Sequence, residues 1–449
     1  MFEKQVCRAL FSRIKAGGVT VTYWDGQSER FGPESWLHIV LRSKEAVWAI
    51  CRNVHLGFGE GYMDGEIVID GDLAELGRLT AANREVHAWA RRLQRRARET
   101  RAGKPGQAAN VRSHYDLGNE FYRLWLDRSM TYSCAYFRGP DDSLEQAQQQ
   151  KVGHILRKLN LKPGMTLLDI GSGWGELVCR AAREHGVRAH GITLSREQLA
   201  HTRARVAAED LSDLVSVDLC HYADLPREAR FDRVVSVGMY EHVGARNHPA
   251  YMAAVDRVLR PGGVSLLHTI TQRVDRPANA WIDRYIFPGG RLPTLQSIFE
   301  LLPERDFRAV DYESLRRHYA RTLEEWWRRF ERSRDRVQEM YGERFVRMWR
   351  MYLRGAFAGF AYGELDLAQI LWTKGPSDEV PMTREYMYPR RRPDRNRLAE
   401  YGNLVDREPA PNGDRIGARE PAPNGDPIGD RESAPNGDPI GARRSQREA

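Results

Sequence analysis

The sequence predicts an α/β fold: a doubly wound parallel sheet, preceded by a small α+β domain and followed by a disordered repeat tail. Three observations predict it. From Leu156 onward, short apolar strand patterns alternate with helical ones, the signature of parallel strands joined by crossover helices. The first 90 residues mix both patterns on a smaller scale. From Arg407 a 12-residue unit repeats, with one large apolar residue per unit, too few to bury a core.

In order along the chain, "GGVTVTYWDG" reads as a short strand ending in an Asp-Gly turn. "SWLHIVLRSKEAVWAICRNV" places Trp36, Ile39, Val40 and Val47 at helical spacing. "GEGYMDGEIVIDGDLAELGRLT" returns to strand and then opens a helix with Asp72 as its cap. "RRLQRRARETRAGKPGQ" is a basic helix running into a Lys-Pro-Gly break, either a solvated linker or a surface that leans on anionic lipid. The strands "MTLLDIGSGWG", "VRAHGITLS", "FDRVVSVGMYEHVG" and "GGVSLLHTI" follow, with "LRPGG" as a helix stop and turn. Residues 310–375 read as mainly helical and rich in aromatics. The predicted divisions are 1–90 (small α+β domain), 91–110 (basic linker), 111–395 (main domain with helical insertions) and 403–449 (disordered repeats).

Composition bounds the function. The 449 residues are 41% apolar, enough for packed cores, and carry a formal net charge of +8. That excess suits an anionic partner, nucleic acid or an acidic membrane surface; an Arg-rich surface with no such partner accounts for it equally. Cys7, Cys51, Cys134, Cys179 and Cys220 form no CxxC pair and no metal-ligand spacing, which points to free thiols in a reducing compartment. No apolar run approaches the roughly 18 residues of a spanning helix, and the N-terminus lacks a signal-peptide core. The expectation is a soluble protein, or one that touches membranes from the side.

"LLDIGSGWG" sets glycines at 171, 173 and 175, where the chain turns tightly at a helix start and lets a ligand approach the backbone. A glycine turn alone suits NAD equally. GxGxG is shorter than the dinucleotide GxGxxG, and the second strand ends in "GITLSREQ" rather than in an acid. Both favour S-adenosylmethionine, with Thr193 and Gln198 offering hydrogen bonds to ribose or adenine.

The segments "HYDLGNEFYRLWLDRSMTYSCAYF", "LLDIGSGWGEL", "GITLSREQ", "GMYEHVG", "SLLHTI", "WIDRYIFPGGRLPT" and "HYARTLEEW", in this order over about residues 110–375, resemble the cyclopropane-fatty-acid synthase family. That resemblance implies a class I methyltransferase fold. It implies methyl transfer from S-adenosylmethionine to cis double bonds of phospholipid acyl chains, with ring closure by a bound bicarbonate base. It places the bicarbonate pocket at Cys134, Glu241, His268, Ile270 and Tyr319. Cofactor contacts carry over onto Tyr132, Ser133, the strand and turn of Leu168, Asp169, Gly171, Ser172, Gly173, Trp174 and Gly175, then Thr193, Leu194, Ser195 and Gln198, and Tyr222 with Ala223. It further implies a homodimer, cytoplasmic and peripheral to the inner face of the cell membrane, with no nucleic-acid partner. Two departures stand out: Ser172 and Ala356 occupy positions where many relatives carry cysteine.

The chemistry accounts for these residue types. An alkene attacks a sulfonium methyl only if the two are held aligned away from water. The cation left on the acyl chain is steadied by aromatic faces, roughly 0.5–2 kcal/mol each. Tyr136, Phe137, Tyr240, Trp281 and Tyr285 are the candidates, ordinary core packing being the alternative for each. Ring closure needs a base within hydrogen-bond reach. Tyr319 and His268 suit as donors to bicarbonate, Glu241 as acceptor of its hydroxyl, and backbone N–H groups near Cys134 and Ile270 as the rest of a cradle. Read from the residues alone, the alternatives are a capping acid for Glu241, a structural histidine for His268, a helix-packing tyrosine for Tyr319 and a buried small hydrophobe for Cys134. The competing outcomes are a methylene- or methyl-branched product, an acyl-carrier substrate, a nucleic-acid methyltransferase, and a non-catalytic lipid binder.

Overall fold

Alternating apolar residues build a small sheet at the N-terminus. Val19 and Val21 of β1 (Val19–Thr22) and Leu37, Ile39 and Leu41 of β3 (Leu37–Leu41) all point inward. In the computed structural model, which describes residues 2–83 and 117–388, β1 and β3 join β2 (Ser28–Phe31) and β4 (Ile67–Asp70) in the order β2-β1-β3-β4. The helical spacing read into residues 36–40 is therefore overruled by a period of two. The helix begins only at Lys44, where Ser43 accepts the Ala46 N–H. "GEGYMD" is likewise helix, the end of α3, with strand starting at Ile67. The helices here are α1 (Phe2–Phe11), α2 (Lys44–Arg52), α3 (Val54–Asp64) and α4 (Leu73–Ala82), the last capped by Asp72 as expected. The basic segment 91–110 and the repeats 403–449 lie outside the described residues.

The main sheet has seven strands in the order β10-β11-β9-β8-β5-β6-β7. β5 (Thr166–Ile170), β6 (Arg188–Thr193), β7 (Val215–Leu219), β8 (Phe231–Val237) and β9 (Leu259–Gln272) run parallel. β10 (Phe307–Ser314) and β11 (Leu365–Lys374) are antiparallel additions. The sheet is thus mostly parallel with an antiparallel edge, and the region expected to be mainly helical supplies that edge. "LRPGG" is the excursion between the Phe231–Leu259 and Arg233–Val264 pairings.

The helices that follow in the chain are α5 (Asn119–Arg123), α6 (Leu144–Lys158), α7 (Glu176–His185), α8 (Arg196–Ala208), α9 (His248–Val258), α10 (Ala280–Tyr285), α11 (Leu295–Phe299), α12 (Arg316–Arg332), α13 (Arg334–Tyr341) and α14 (Glu343–Ala361). α12 buries Tyr319, Thr322, Leu323, Trp326 and Phe330, one stripe at helical spacing. That stripe meets Trp349, Tyr352 and Leu353 of α14 and Phe121 and Trp125 near α5 in one aromatic core.

The described residues belong to one compact unit. The small sheet's helices dock on the helical layer. A Cβ on Gly77 would lie 2.3 Å from that of Ala358, so only glycine lets α4 approach α14 this closely. Buried Arg354 of α14 binds Asp72, whose Oδ1 accepts from its Nε at 2.8 Å, and Glu324 of α12.

Candidate active site

Strand order reverses between β5 and β8: β6 and β7 continue on one side of β5, and β8 returns on the other. Ligands of such sheets bind beyond the strands' carboxyl ends at this switch point. Here the turn Gly171–Gly175 leaves β5 and the turn Gly238–Gly244 leaves β8. Gly171 and Gly175 adopt φ of 90° and 85°. A Cβ at 175 would sit 2.3 Å from Thr202 Cγ2, and one at 171 would sit 3.0 Å from the Met239 side chain. The turn therefore demands glycine on steric as well as conformational grounds.

A cavity opens above this turn. Tyr132, Ser133, Asp169, Gly171, Ser172, Gly173, Trp174, Thr193, Leu194, Gln198 and Tyr222 line it. Four residues of the expected set stand behind the wall. Leu168 is in the apolar core, Gly175 abuts Thr202, Ser195 caps α8 by accepting the Gln198 N–H, and the Ala223 N–H donates to His221 Nδ1. Thr193 Oγ1 donates to Gln198 Oε1 at 2.7 Å, so these two first satisfy each other.

The cavity also takes in residues that are not among the expected cofactor contacts: Ser129, Met130, Lys151, His221, Gly238, Met239 and His242. Met130 adopts φ of 60°. Buried Asp127 holds it there, accepting from the N–H groups of Ser129 (2.9 Å) and Thr131 (3.0 Å) and from the Ser129 hydroxyl. An Asp–x–Ser–x–Thr spacing is the one sequence signal that marks this knot. Burial pushes Asp169 up to about 7, and its Oδ1 has no hydrogen-bond partner among the described residues. Burial brings His242 down to about 4. An orphaned acid, a steric glycine turn and a mixed polar and apolar wall suit a nucleoside carrying an amino-acid tail.

The five residues expected at a second pocket converge beside this cavity through a chain of contacts. Ile270 pairs with Leu367 across β9 and β11. The Leu367 carbonyl accepts the Leu315 N–H at 2.7 Å, and the Leu315 carbonyl accepts the Tyr319 N–H at 3.0 Å. Cys134 Sγ lies 3.9 Å from that same Leu315 carbonyl, and the neighbouring Ala135 N–H donates to Thr322 Oγ1 at 3.0 Å. Glu241, in a short turn of 3₁₀ helix after β8, accepts the Ile270 N–H on Oε1 at 2.6 Å. Burial raises Glu241 to about 7, against the opposing pull of the Ile270 N–H. His268 is fully buried within β9, opposite Val237 at the end of β8, rather than at a strand end. Burial, and next the Lys151 charge, hold it neutral. Its Nδ1 lies 3.1 Å from Gln369 Nε2. Glu241 Oε2 and His268 Nε2 are buried without a hydrogen bond among the described residues. Burial pushes the Cys134 thiol far above its usual range, so it is not a thiolate nucleophile.

The rings weighed as cation stabilisers each have packing partners in the structure. Tyr136 is sandwiched between His154 and His318, with centroids 4.4 and 4.7 Å away. The Arg321 guanidinium covers Phe137 at 4.1 Å, and Tyr240 stacks on His248 at 4.1 Å. Trp281 packs on Gly59 and donates to Met63 Sδ, while the Tyr285 hydroxyl donates to Glu60 Oε1 at 2.7 Å. The rings beside Tyr319 are Phe360 (4.5 Å) and Trp326 (6.0 Å), and Trp326 in turn meets Tyr132 at 5.2 Å. Among the described residues no group of three or more His, Cys, Asp or Glu side chains is placed to hold a metal.

Residues 103–370 match the family model described as mycolic acid cyclopropane synthetase. The chain belongs to this family of S-adenosylmethionine-dependent fatty acyl methyltransferases and cyclopropane synthases. Residues 6–88 match a second model, a domain of unknown function. Within the family, a Pseudomonas putida protein described as "Probable fatty acid methyltransferase" is 40% identical over 374 residues, covering 81% of this chain and 95% of its own. The cyclopropane-fatty-acyl-phospholipid synthase of Escherichia coli K12 is 38% identical over 343 residues, 73% of this chain and 86% of its own. The solved cyclopropane synthase MmaA2 of Mycobacterium tuberculosis superposes with a TM-score of 0.57 at 35% identity, covering 60% of this chain and 98% of that one.

Proposed function

We propose that this chain methylates the cis double bond of unsaturated phospholipid acyl chains with S-adenosylmethionine and closes the product to a cyclopropane. One observation carries the reading. Two buried polar atoms lack hydrogen-bond partners among the described residues: Glu241 Oε2, in the turn that also walls the cofactor cavity, and His268 Nε2, on β9 opposite Val237 of that wall. This pair, an acid and a neutral histidine, suits a small anion that both accepts and donates hydrogen bonds. Bicarbonate has that character, and the cavity's glycine turn and orphaned Asp169 suit S-adenosylmethionine. When bound, the cofactor supplies an electrophilic methyl group and bicarbonate a base for the proton lost on ring closure.

The chain's own residues do the rest. With Gln369 donating to Nδ1, neutral His268 keeps its proton on Nε2 as a donor. Tyr319 adds a second donor from α12. Glu241, near 7, holds or accepts a proton on Oε2 at neutral pH. Cys134 contributes size and backbone. Tyr319, Trp326, Phe360 and Tyr132 form an apolar aromatic wall that excludes water and faces positive charge. No described helix is long and apolar enough to cross a membrane. Action on phospholipid from the cytoplasmic side, as a homodimer, is part of the proposal and rests on the family.

Lipids from a host expressing the chain test this. The expected product gains one CH₂ by mass and shows high-field cyclopropyl protons. Vinylidene or new methyl signals instead would assign branching. Labelling of RNA and not of lipid, with radioactive S-adenosylmethionine, would overturn both.

A further inference from the structure

The cavity wall contains one cation to which the mechanism above assigns no ligand. Lys151 of α6 is 3% exposed and is the one lysine or arginine among the described wall residues. Its Nζ donates to Ser133 Oγ at 3.0 Å, which accounts for one of its three protons. The acids on the same wall are Asp169 and Glu176.

A buried ammonium is retained only where an anion compensates it. The acids Asp127, Glu176 and Asp169 are all near Lys151, yet none makes a hydrogen bond or ion pair with it in the structure, and burial brings it down to about 8. The amino-acid tail of the cofactor is a zwitterion. Its ammonium needs an acceptor, which the unpartnered Asp169 Oδ1 offers; its carboxylate needs a donor cation, and on this wall only Lys151 qualifies.

We propose that Lys151, with Ser133 hydrogen-bonded to it, binds the α-carboxylate of S-adenosylmethionine opposite Asp169, so that the two side chains clamp the zwitterion by charge. This rests on the cofactor reading above. It assigns α6, outside the glycine turn, a direct part in cofactor recognition.

The test is a binding cycle by calorimetry on the full chain, with no turnover involved. The ligands are S-adenosylhomocysteine and its decarboxylated analogue; the proteins are wild type, Lys151→Met and Lys151→Arg. A charged hydrogen bond of this kind corresponds to roughly 10- to 100-fold in affinity. Wild type should prefer the carboxylated ligand by that factor. Lys151→Met should lose the preference while binding the decarboxylated analogue as before, and Lys151→Arg should regain part of it. A variant-free arm uses wild type alone. The preference should decline as pH rises through about 8, the charged and titratable groups facing Lys151 including Asp127, Cys134, Glu176, Asp169 and His268.

Equal loss for both ligands in Lys151→Met, with no pH-dependent preference in wild type, would make Lys151 structural and overturn the proposal. So would an unchanged preference in Lys151→Met accompanied by a higher bicarbonate requirement in turnover, which would assign the charge to the base pocket. If wild type bound neither ligand, the cofactor reading itself would fall, an outcome distinct from these.

Discussion

Replacing Glu241 by glutamine should lower activity and raise stability together, a combination a merely structural acid does not give. The carboxyl is 7% exposed, and burial raises its pKa from 4.5 to about 7. A raised carboxyl pKa means the fold disfavours the ionised form. Its contribution is fully present below 4.5 and is lost as pH rises through about 7. About 2.5 pH units at 1.36 kcal/mol each put that loss at about 3 kcal/mol above neutrality. Glutamine never ionises, keeps an acceptor for the Ile270 N–H, and should be the more stable protein at pH 8 by up to about 3 kcal/mol, with no advantage at pH 4.5. Catalysis should move the other way, since losing a proton acceptor next to the reaction costs about 10²–10⁴-fold. Affinity for S-adenosylhomocysteine should be unchanged, because Glu241 is not on the cofactor wall. Thermal unfolding at both pH values, ligand calorimetry and methyl transfer to vesicles of unsaturated phospholipid measure the three quantities. Turnover equal to wild type would refute the base assignment. A less stable Gln variant at pH 8 would refute the electrostatic reasoning.

Other outcomes follow from the same contacts. Cys134→Ser should cost about 1 kcal/mol of stability, a hydroxyl replacing a buried thiol, yet keep turnover within a few-fold; selective loss of turnover in a folded protein would return the thiol to the mechanism. Gly77→Ala would place a Cβ 2.3 Å from that of Ala358 and should destabilise by about 1–3 kcal/mol, with Ala358→Gly as the compensating change in thermal unfolding. Asp127→Ala should weaken S-adenosylhomocysteine binding by about tenfold or more, since the Ser129 and Thr131 N–H groups lose their buried acceptor and Met130 is freed from its left-handed conformation. Full affinity in that variant would show that the knot does not shape the cavity.

The parts of the fold legible in the sequence are those where local pattern and tertiary demand agree. β5 and its turn were readable because Gly171 and Gly175 are needed both for positive φ and for space. β3 was misread because Trp36, Ile39 and Val40 also fit a helix, and only burial on one side of a sheet selects the alternation of Leu37, Ile39 and Leu41. β11 was missed because "LDLAQILWTK" buries Leu367 through Thr373 on both faces, and a continuous apolar run carries no period. Lys151 gave no signal for a different reason. A lysine between "QAQQQ" and "VGHILRK" looks solvent-facing, and its burial is set by Ser133, 18 residues away in sequence. The five candidate rings show the same limit. An aromatic near a motif is visible in sequence; the neighbours it packs on come from other elements.

The same contacts explain why Ala356 need not disable the chain. Ala356 lies one helical turn beyond Tyr352 on α14, on the same face, and the Tyr352 hydroxyl meets that of Tyr132 at 2.7 Å. A thiol at 356 would therefore belong to the aromatic wall contributed by α14. Two of the buried atoms left unsatisfied among the described residues, Glu241 Oε2 and His268 Nε2, are on the turn after β8 and on β9. Their partners Ile270 and Gln369 come from β9 and β11. Glu241 and His268 are thus fixed by hydrogen bonds from the sheet that do not pass through α14, whereas Tyr319 of α12 does rest on Phe360 of that helix. On the proposed function, losing a sulfur from that helix would change the surface offered to the acyl chain, while Glu241 and His268 would keep the sheet hydrogen bonds that fix them.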